Sequence, residues 1–182
     1  MGKKIVVLTG SPRKNGNSSA MAEAFIKAAE RNGCSVTRFD AAELNIKECR
    51  GCRGCYGKGL ACAFGDDFNK IAPALETADG IVLAAPVYWY SFPACLKAVI
   101  DKFYALFVGG RFFEGKKCAL LACCADKPLS TFDGLLVTWR ETIKLMRGEM
   151  VGEVLVPGVA KAGDINSTDG LRQAEALAEK FA

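Results

Sequence analysis

The stretch KIVVLTGSPRKNGNSS, residues 4–19, decides the fold class, because it joins an apolar run to a helical pattern through a short polar turn. The run from Ile5 to Leu8 is continuous, as in parallel strands that helices cover on both faces. After the turn, apolar residues recur at helical spacing between Met21 and Ala29. The stretch therefore predicts a strand, a turn and a helix in succession, which is the repeating unit of an α/β protein.

The same alternation continues along the chain. Continuous apolar runs predict central strands, and shorter or mixed runs predict edge strands. The expected strands lie at residues 5–8, 34–39, 81–85, 118–124 and 154–156. The expected helices lie at residues 18–29, 66–77, 96–107, 132–147 and 168–181. This alternation predicts one domain over residues 1–182, with a doubly wound five-stranded parallel sheet in the order 2-1-3-4-5.

Composition narrows the classes of function. The chain has 182 residues, 51% of them hydrophobic, and a net charge of +4, which is too small for a nucleic-acid-binding surface. Its apolar runs are shorter than the roughly 20 residues of a membrane span, so we expect a cytoplasmic protein with no membrane or nucleic-acid partner. The sequence contains no histidine, which removes Ser-His and Cys-His nucleophile pairs. We therefore expect no residue with a covalent or acid-base catalytic role.

The polar turn has the composition of a phosphate site. A strand that ends at Gly10 and re-enters a helix near Ser18 directs backbone N–H groups and the positive end of the helix dipole at one point. Gly16 lets the chain close without a Cβ clash. The candidate side-chain donors are Ser11, Arg13, Asn15, Asn17, Ser18 and Ser19. Together these groups predict a site for a terminal monophosphate.

Glycine spacing argues against two other phosphate motifs. A nucleoside-triphosphate loop has four residues between its glycines, whereas five separate Gly10 from Gly16. A dinucleotide fingerprint needs Gly-x-Gly-x-x-Gly, which the turn lacks, although Asp40 follows the second strand where a ribose-binding acid would lie. A dinucleotide-sensing domain that uses Asp40 and a merely flexible turn remain as alternatives.

A second loop, APVYWYSFP at residues 85–93, follows the third predicted strand and is rich in aromatic residues. In the order 2-1-3-4-5 the first and third strands are neighbours, so this loop and the polar turn face one crevice. Consecutive aromatic residues are also common in cores and interfaces. Beside a phosphate site they predict a ligand in which a phosphate is joined to a flat ring.

The segments TGSPRKNGNSS, residues 9–19, and ADGIVLAAPVYWYSFPACLKAVIDKFY, residues 78–104, resemble the NAD(P)H-dependent FMN reductase group of flavodoxin-like proteins. The resemblance spans nearly the whole chain and implies a flavodoxin-like fold that binds FMN. It also implies that the protein forms dimers or tetramers. It places the FMN phosphate on residues matching Ser11, Arg13, Asn17 and Ser18. It places the isoalloxazine ring against Pro86, Val87, Tyr88 and Trp89.

Four of the nine cysteines lie in the long irregular stretch 41–65 with the spacing Cys-x2-Cys-x2-Cys-x6-Cys. They are Cys49, Cys52, Cys55 and Cys62. This spacing lets four thiolates converge on one inorganic centre, whereas structural zinc usually draws on two separated pairs. The cations Arg50, Arg53 and Lys58 are expected to lower the thiol pKa values.

The cysteine motif resembles that of the iron-sulfur flavoproteins, which implies a 4Fe-4S cluster near the flavin. A reactive dithiol, a disulfide and plain buried thiols remain as alternatives. The other five cysteines are expected to be small core residues. They are Cys34, Cys95, Cys118, Cys123 and Cys124.

Two classes of function follow from this reasoning. As an enzyme, the protein takes hydride from NAD(P)H and passes electrons to a flavin, quinone, metal or other small acceptor. As a carrier, it is an iron-sulfur flavoprotein or flavodoxin that a separate reductase charges, and its partner is an electron-transfer protein. Five aromatic residues that crowd one predicted helix and its exit also predict a homodimer or homotetramer interface. They are Phe103, Tyr104, Phe107, Phe112 and Phe113.

Overall fold

A computed structural model describes residues 2–182 and places five parallel strands in one sheet with the order β2-β1-β3-β4-β5. The strands are β1 (Lys4–Thr9), β2 (Ser35–Asp40), β3 (Gly80–Pro86), β4 (Lys117–Cys123) and β5 (Glu149–Val156). The predicted fold class, a doubly wound flavodoxin-like sheet, is confirmed. Strands β2 and β5 lie at the edges, as their mixed composition predicts.

Six α-helices cover the two faces of the sheet. They are α1 (Asn17–Arg31), α2 (Phe68–Thr77), α3 (Ala94–Asp101), α4 (Phe103–Val108), α5 (Asp133–Leu145) and α6 (Gly170–Ala178). Alternate residues of each central strand enter opposite layers, so Val7 lies in the core layer that contains α1 and α6, whereas Leu8 lies in the layer that contains the other four helices. This two-sided burial explains why the central strands have continuous apolar runs.

The structure differs from the prediction at one helix and one strand. The single helix expected at 96–107 is two helices, because α3 ends at Asp101 and the side chain of Lys102 turns inward before α4 begins. Strand β5 begins at Glu149, five residues earlier than predicted. Its first half is only partly buried and mixes charged with apolar residues, which hides a strand from a search for apolar runs.

Residues 41–67, between β2 and α2, contain no helix or strand, as predicted for the cysteine-rich stretch. In residues 2–182, no helix is long and apolar enough to cross a membrane. The parallel strands end at one edge of the sheet, where the loops after β1, β3, β4 and β5 meet. This edge carries the candidate site.

Candidate functional site

A crevice of about 630 Å³, including its open mouth, lies at the carboxyl edge of the sheet. The crevice brings together most of the predicted cofactor residues, from the polar turn and from the aromatic loop. These are Ser11, Arg13, Asn17, Ser18, Pro86, Val87 and Tyr88.

The polar turn and the aromatic loop are in direct contact. A Cβ added at Gly10 would lie 3.1 Å from the Cβ of Leu96 and 3.3 Å from Cγ of Pro93. The Cys95 thiol also donates to the carbonyl of Gly10, with 3.5 Å between sulfur and oxygen. A side chain at residue 10 would therefore require Leu96 or Pro93 to shift. The two halves of the site therefore hold a fixed relation to each other.

The polar turn is internally hydrogen-bonded rather than flexible. The backbone N–H of Arg13 donates to Ser11 Oγ at 3.1 Å, and the N–H of Gly16 donates to the carbonyl of Arg13 at 3.0 Å. A Cβ at Gly16 would lie 3.0 Å from both Ser11 Oγ and the Arg13 carbonyl oxygen. The turn thus forms a tight cradle that a side chain at residue 16 would fill.

Helix α1 starts inside this cradle with free backbone donors. Its N-cap residue, Gly16, has no side chain, and no described side chain caps the helix. No acidic residue lies in its first turn either. The N–H groups at the start of a helix carry partial positive charge and bind anions. The crevice therefore offers several N–H donors, together with the Ser18 hydroxyl and the exposed Arg13, to a phosphate.

Asn17 has a different role from the one predicted for its side chain. Its amide nitrogen donates to the carbonyls of Val159 (3.4 Å) and Lys161 (2.9 Å). Its amide oxygen accepts from the N–H groups of Gly163 (3.1 Å) and Ile165 (3.3 Å). The side chain thus fastens the loop after β5 over the start of α1. What remains for a ligand is the backbone N–H of Asn17.

Two predicted residues, Asn15 and Trp89, lie outside the crevice lining. Asn15 borders a separate surface groove beside α1. The side chain of Trp89 is 95% exposed, although its neighbour Tyr88 lines the crevice. The structure does not bring these two side chains into the crevice lining, and their role in binding the ligand stays a prediction.

The crevice also contains residues to which the sequence assigned no ligand-binding role, although the loop at residues 124–127 was expected from the strand order to approach the ring. They come from the ends of β4 and β5: Cys123, Cys124, Ala125, Val159, Ala160 and Ala162. The order of the strands alone places these two loops at the edge of the sheet that carries the site. This order was the one sequence feature that could have identified them. Cys123 lines the crevice with Ser18, and burial raises the pKa of its thiol to about 12. It is therefore a neutral thiol rather than a nucleophile.

Asp40 is occupied by structural contacts. Its carboxylate accepts hydrogen bonds from Thr9 Oγ1 at 2.6 Å and from Arg38 Nε at 2.9 Å. Burial acts to raise the pKa of Asp40, but these hydrogen bonds outweigh burial and hold the pKa below its ordinary value. The carboxylate is thus paired within the sheet edge, which argues against the ribose-binding alternative.

The four predicted ligand cysteines, Cys49, Cys52, Cys55 and Cys62, all line a second pocket, which also contains Arg50, Arg53, Phe64, Lys102 and Tyr104. All four are free thiols. Among residues 2–182, no three side chains of the His, Cys, Asp or Glu types are arranged to hold a single metal ion. The expectation that nearby cations lower the thiol pKa values is wrong for Cys55. Burial and the neighbouring thiols of Cys49 and Cys52 raise its pKa.

A buried ion pair forms the floor of the cysteine pocket. The Lys102 ammonium contacts the Asp66 carboxylate, and the two side chains are only 3% and 6% exposed. Lys102 Nζ also lies 3.5 Å from Cys62 Sγ. Asp66 accepts further hydrogen bonds from the backbone N–H groups of Lys47 (3.0 Å) and Phe68 (3.1 Å). The pair therefore ties both ends of the cysteine loop to the start of α4.

The other cysteines and the aromatic cluster match their predictions in part. Four of the five remaining cysteines are buried, and Cys95 is half-buried. In the aromatic cluster, Phe103 and Phe113 form an edge-to-face pair in the core, with 5.3 Å between ring centroids. Tyr104 and Phe107 are exposed on α4. The oligomer stays a prediction.

Comparison with known proteins identifies the family to which the chain belongs. The model of the NADPH-dependent FMN reductase family matches residues 3–130, which is more than half of the chain. Two curated relatives named iron-sulfur flavoprotein, both from Archaeoglobus fulgidus, are similar to the chain. One is 37% identical over 99 residues, covering 54% of this chain and 44% of the relative. The other is 34% identical over 124 residues, covering 68% of this chain and 63% of the relative. The chain spans about half the length of the curated relatives it matches.

Solved structures agree with the fold. An FMN-dependent NADH-azoreductase from Bacillus anthracis in complex with FMN superposes over the full length of both chains, with a TM-score of 0.77 and 11% identity. An NAD(P)H:quinone oxidoreductase from Methanothermobacter marburgensis gives a TM-score of 0.71 at 15% identity, covering 99% of this chain and 96% of the other. The family model covers the polar turn, the aromatic loop and the strands that carry them, so the chain belongs to the NADPH-dependent FMN reductase family.

Proposed function

We propose that the protein binds FMN in the crevice, takes hydride from NAD(P)H and delivers electrons to a small acceptor such as a flavin, a quinone or a metal ion. The observation that carries the proposal is the crevice itself. It joins an uncapped helix N-terminus to an aromatic loop at the switch point of the sheet. The family and the similar solved structures, which include an NAD(P)H:quinone oxidoreductase and an azoreductase in complex with FMN, support the same function.

The phosphate of FMN fits the polar turn. The backbone N–H groups of Asn17 and Ser18 and the Ser18 hydroxyl supply neutral donors, and Arg13 supplies a positive charge. Among residues 2–182 Arg13 makes no salt bridge, so its charge is available to the ligand. A charge-assisted hydrogen bond is about twice as strong as a neutral one. Arg13 is therefore the side chain on which phosphate affinity should depend most.

The ring of FMN fits the other half of the crevice. Pro86 and Val87 end β3, and Tyr88 begins the aromatic loop, so the wall is apolar and stiff. Cys124 and Ala125 approach from β4, and Ala160 approaches from the loop that Asn17 holds. When bound, FMN supplies the hydride and electron chemistry. The residues of the chain bind and orient it, and no described acid or base is needed for a proton transfer.

Anaerobic mixing of flavin-loaded protein with NADH or NADPH tests the enzyme against the carrier. Prompt loss of the long-wavelength flavin absorbance is the expected result. Bleaching that begins only after a separate reductase is added would contradict the enzyme and support an electron carrier. Tight NAD binding by a colourless protein would instead support the dinucleotide alternative.

Two neighbouring cationic residues provide a matched test of phosphate binding at the polar turn. Arg13→Ala should weaken FMN binding by about tenfold, because a charge-assisted hydrogen bond is lost. Lys14→Ala removes the same charge, but Lys14 pairs with Glu43 at 3.4 Å and lies outside the crevice lining, so its effect should be small. Equal effects of the two substitutions would show a general charge effect and overturn the assignment of Arg13.

We also propose that Cys49, Cys52, Cys55 and Cys62 bind an iron-sulfur cluster, which would pass single electrons between the flavin and a partner. The gathering of all four cysteines around one pocket supports this proposal. A single tetrahedral ion needs its sulfur ligands within about 4 Å of one another, because each Zn–S bond is about 2.3 Å. A four-iron cluster spreads its ligands further apart. The cations Arg50, Arg53 and Lys102 would offset its negative charge.

Iron and sulfide analysis of anaerobically purified protein tests the cluster. We expect about four irons and four sulfides per chain. Protein with full flavin content but without iron would overturn the cluster and leave the flavin site intact. The Cys49→Ser/Cys52→Ser variant should lose the iron and keep the flavin, because neither cysteine lines the FMN crevice.

A further inference from the structure

Cys62 is fixed to helix α2 by both of its backbone groups. Its N–H donates to Asn69 Oδ1 at 2.7 Å, and its carbonyl accepts from Asn69 Nδ2 at 2.9 Å. Asn69 lies in the first turn of α2. Cys49 and Cys52, at the other end of the cysteine motif, are exposed. The fold therefore determines the surroundings of the Cys62 sulfur more closely than those of the exposed thiols.

The Cys62 sulfur contacts the positive end of a buried ion pair. Lys102 Nζ donates to Cys62 Sγ, with 3.5 Å between nitrogen and sulfur. The Lys102 side chain is only 3% exposed, and its carboxylate partner is Asp66. Asp66 in turn accepts hydrogen bonds from the backbone N–H groups of Lys47 and Phe68. The ion pair is thus held in one orientation, with its ammonium group on the ligand sulfur.

The other two cations of the cysteine pocket lie in water. Arg50 has a side chain that is 56% exposed, stands 3.8 Å from Glu48 and lies over the ring of Phe64. Arg53 is also exposed. Water and salt screen exposed charges strongly, whereas they screen buried charges much less. Of the three cations that line the pocket, Lys102 therefore acts on a cluster there with the least screening.

A cation beside a ligand sulfur favours the reduced state of an iron-sulfur cluster. Reduction adds one electron, and both a nearby positive charge and a hydrogen bond to a ligand sulfur stabilise the added negative charge. A cluster that Cys62 ligates should therefore be easier to reduce when Lys102 is present than when it is absent.

We propose that Lys102 raises the reduction potential of the cluster through its hydrogen bond to Cys62, and so favours electron transfer from the flavin. This inference rests on the proposed cluster and on the proposed FMN function. In the transfer, one electron leaves the reduced flavin and enters the cluster, and no atom is transferred. Lys102 acts through Cys62, so it tunes the cluster and does not ligate iron.

Two double variants provide a matched test. Lys102→Met alone would leave the buried Asp66 charge unpaired, so the test uses Lys102→Met/Asp66→Asn, which removes the donor to the sulfur without changing the net charge. Lys97→Met/Asp101→Asn makes the same two changes in the exposed ion pair of α3. The two variants differ in whether the lost ammonium contacts a cluster ligand.

Anaerobic redox titration of flavin-loaded, iron-loaded protein with dithionite gives the midpoint potential, with the electron paramagnetic resonance signal of the reduced cluster as the readout. Each cluster takes up one electron. In Lys102→Met/Asp66→Asn the equilibrium constant for reduction should fall about tenfold, because a charge-assisted hydrogen bond is lost. For one electron, tenfold corresponds to about 59 mV. Lys97→Met/Asp101→Asn should keep the parent potential.

Asn69→Ala separates the effect of the charge from that of a loosened loop. It removes both side-chain hydrogen bonds to the backbone of Cys62 and leaves Lys102 in place. We expect the midpoint potential of this variant to stay close to that of the parent. A shift as large as that of Lys102→Met/Asp66→Asn would attribute both shifts to loosening and would overturn the inference.

The remaining outcomes separate this inference from the proposals on which it rests. Parent protein that contains flavin but no iron overturns the proposed cluster and this inference with it. Iron-loaded parent and Lys102→Met/Asp66→Asn with equal midpoint potentials overturn the inference alone. A folded Lys102→Met/Asp66→Asn variant without iron would assign Lys102 to cluster assembly instead of to its potential, and would also overturn it.

Discussion

Replacing Lys102 by Met should destabilise the fold by about 3 to 5 kcal/mol. Lys102 and Asp66 are almost completely buried and form an ion pair beneath the cysteine pocket. Without the ammonium, the Asp66 carboxylate stays buried with only two backbone N–H donors, from Lys47 and Phe68. An uncompensated buried charge costs several kcal/mol. This loss is a large share of the 5 to 15 kcal/mol that stabilises a typical domain.

Urea unfolding followed by circular dichroism measures this loss, and two controls sharpen it. The double variant Lys102→Met/Asp66→Asn leaves no unpaired charge and should be more stable than Lys102→Met alone. Lys97 and Asp101 form an ion pair at 2.5 Å on α3, but both side chains are more than 40% exposed. Lys97→Met should therefore cost less than about 1 kcal/mol. A loss in Lys102→Met no larger than in Lys97→Met would refute the reasoning.

Three further predictions follow from the crevice and the sheet edge. Asn17→Ala removes four hydrogen bonds to the loop after β5 and should cost roughly 2 to 4 kcal/mol in urea unfolding; a loss below about 0.5 kcal/mol would contradict the fastening role. In protein freed of iron, iodoacetamide near neutral pH should label the exposed Cys49 and spare the buried Cys123, whose pKa of about 12 keeps it protonated; mass spectrometry would expose the error if both react equally. Burial acts to raise the pKa of Asp40, but hydrogen bonds from Arg38 outweigh burial and lower it. The ionised Asp40 carboxylate therefore stabilises the fold above about pH 4, and this stabilisation is lost as the pH falls through the lowered pKa. Asp40→Asn should therefore weaken the acid dependence of stability, and an unchanged pH profile would contradict this.

The sheet could be predicted because each central strand is buried on both faces and is therefore continuously apolar. Strand β5 illustrates the limit of this signal. Its first residues, Glu149 to Gly152, are only partly covered, so their composition resembles a loop. The division between α3 and α4 was also hidden. A lysine within a helical pattern normally faces solvent, and only the tertiary partner Asp66 makes Lys102 turn inward.

The parts of the candidate site that backbone groups form could be predicted from the sequence. The shape of the polar turn follows from glycine positions and the start of a helix, which are local features. The positions of the Asn17 and Trp89 side chains were not predictable, because they depend on backbone contacts with residues distant in sequence. Asn17 binds a loop more than 140 residues away, and the backbone of the Trp89 turn rests on Gly134. Side-chain chemistry alone does not distinguish a donor to the ligand from a donor to a neighbouring loop.

The most direct test of the central claim compares FMN with riboflavin, by calorimetric titration of flavin-free protein. The two ligands share the ring and differ in the phosphate. We expect one FMN to bind per chain and riboflavin to bind at least tenfold more weakly, because riboflavin offers no anion to the donors at the start of α1. Equal affinity for the two ligands, or no binding of either, would contradict it.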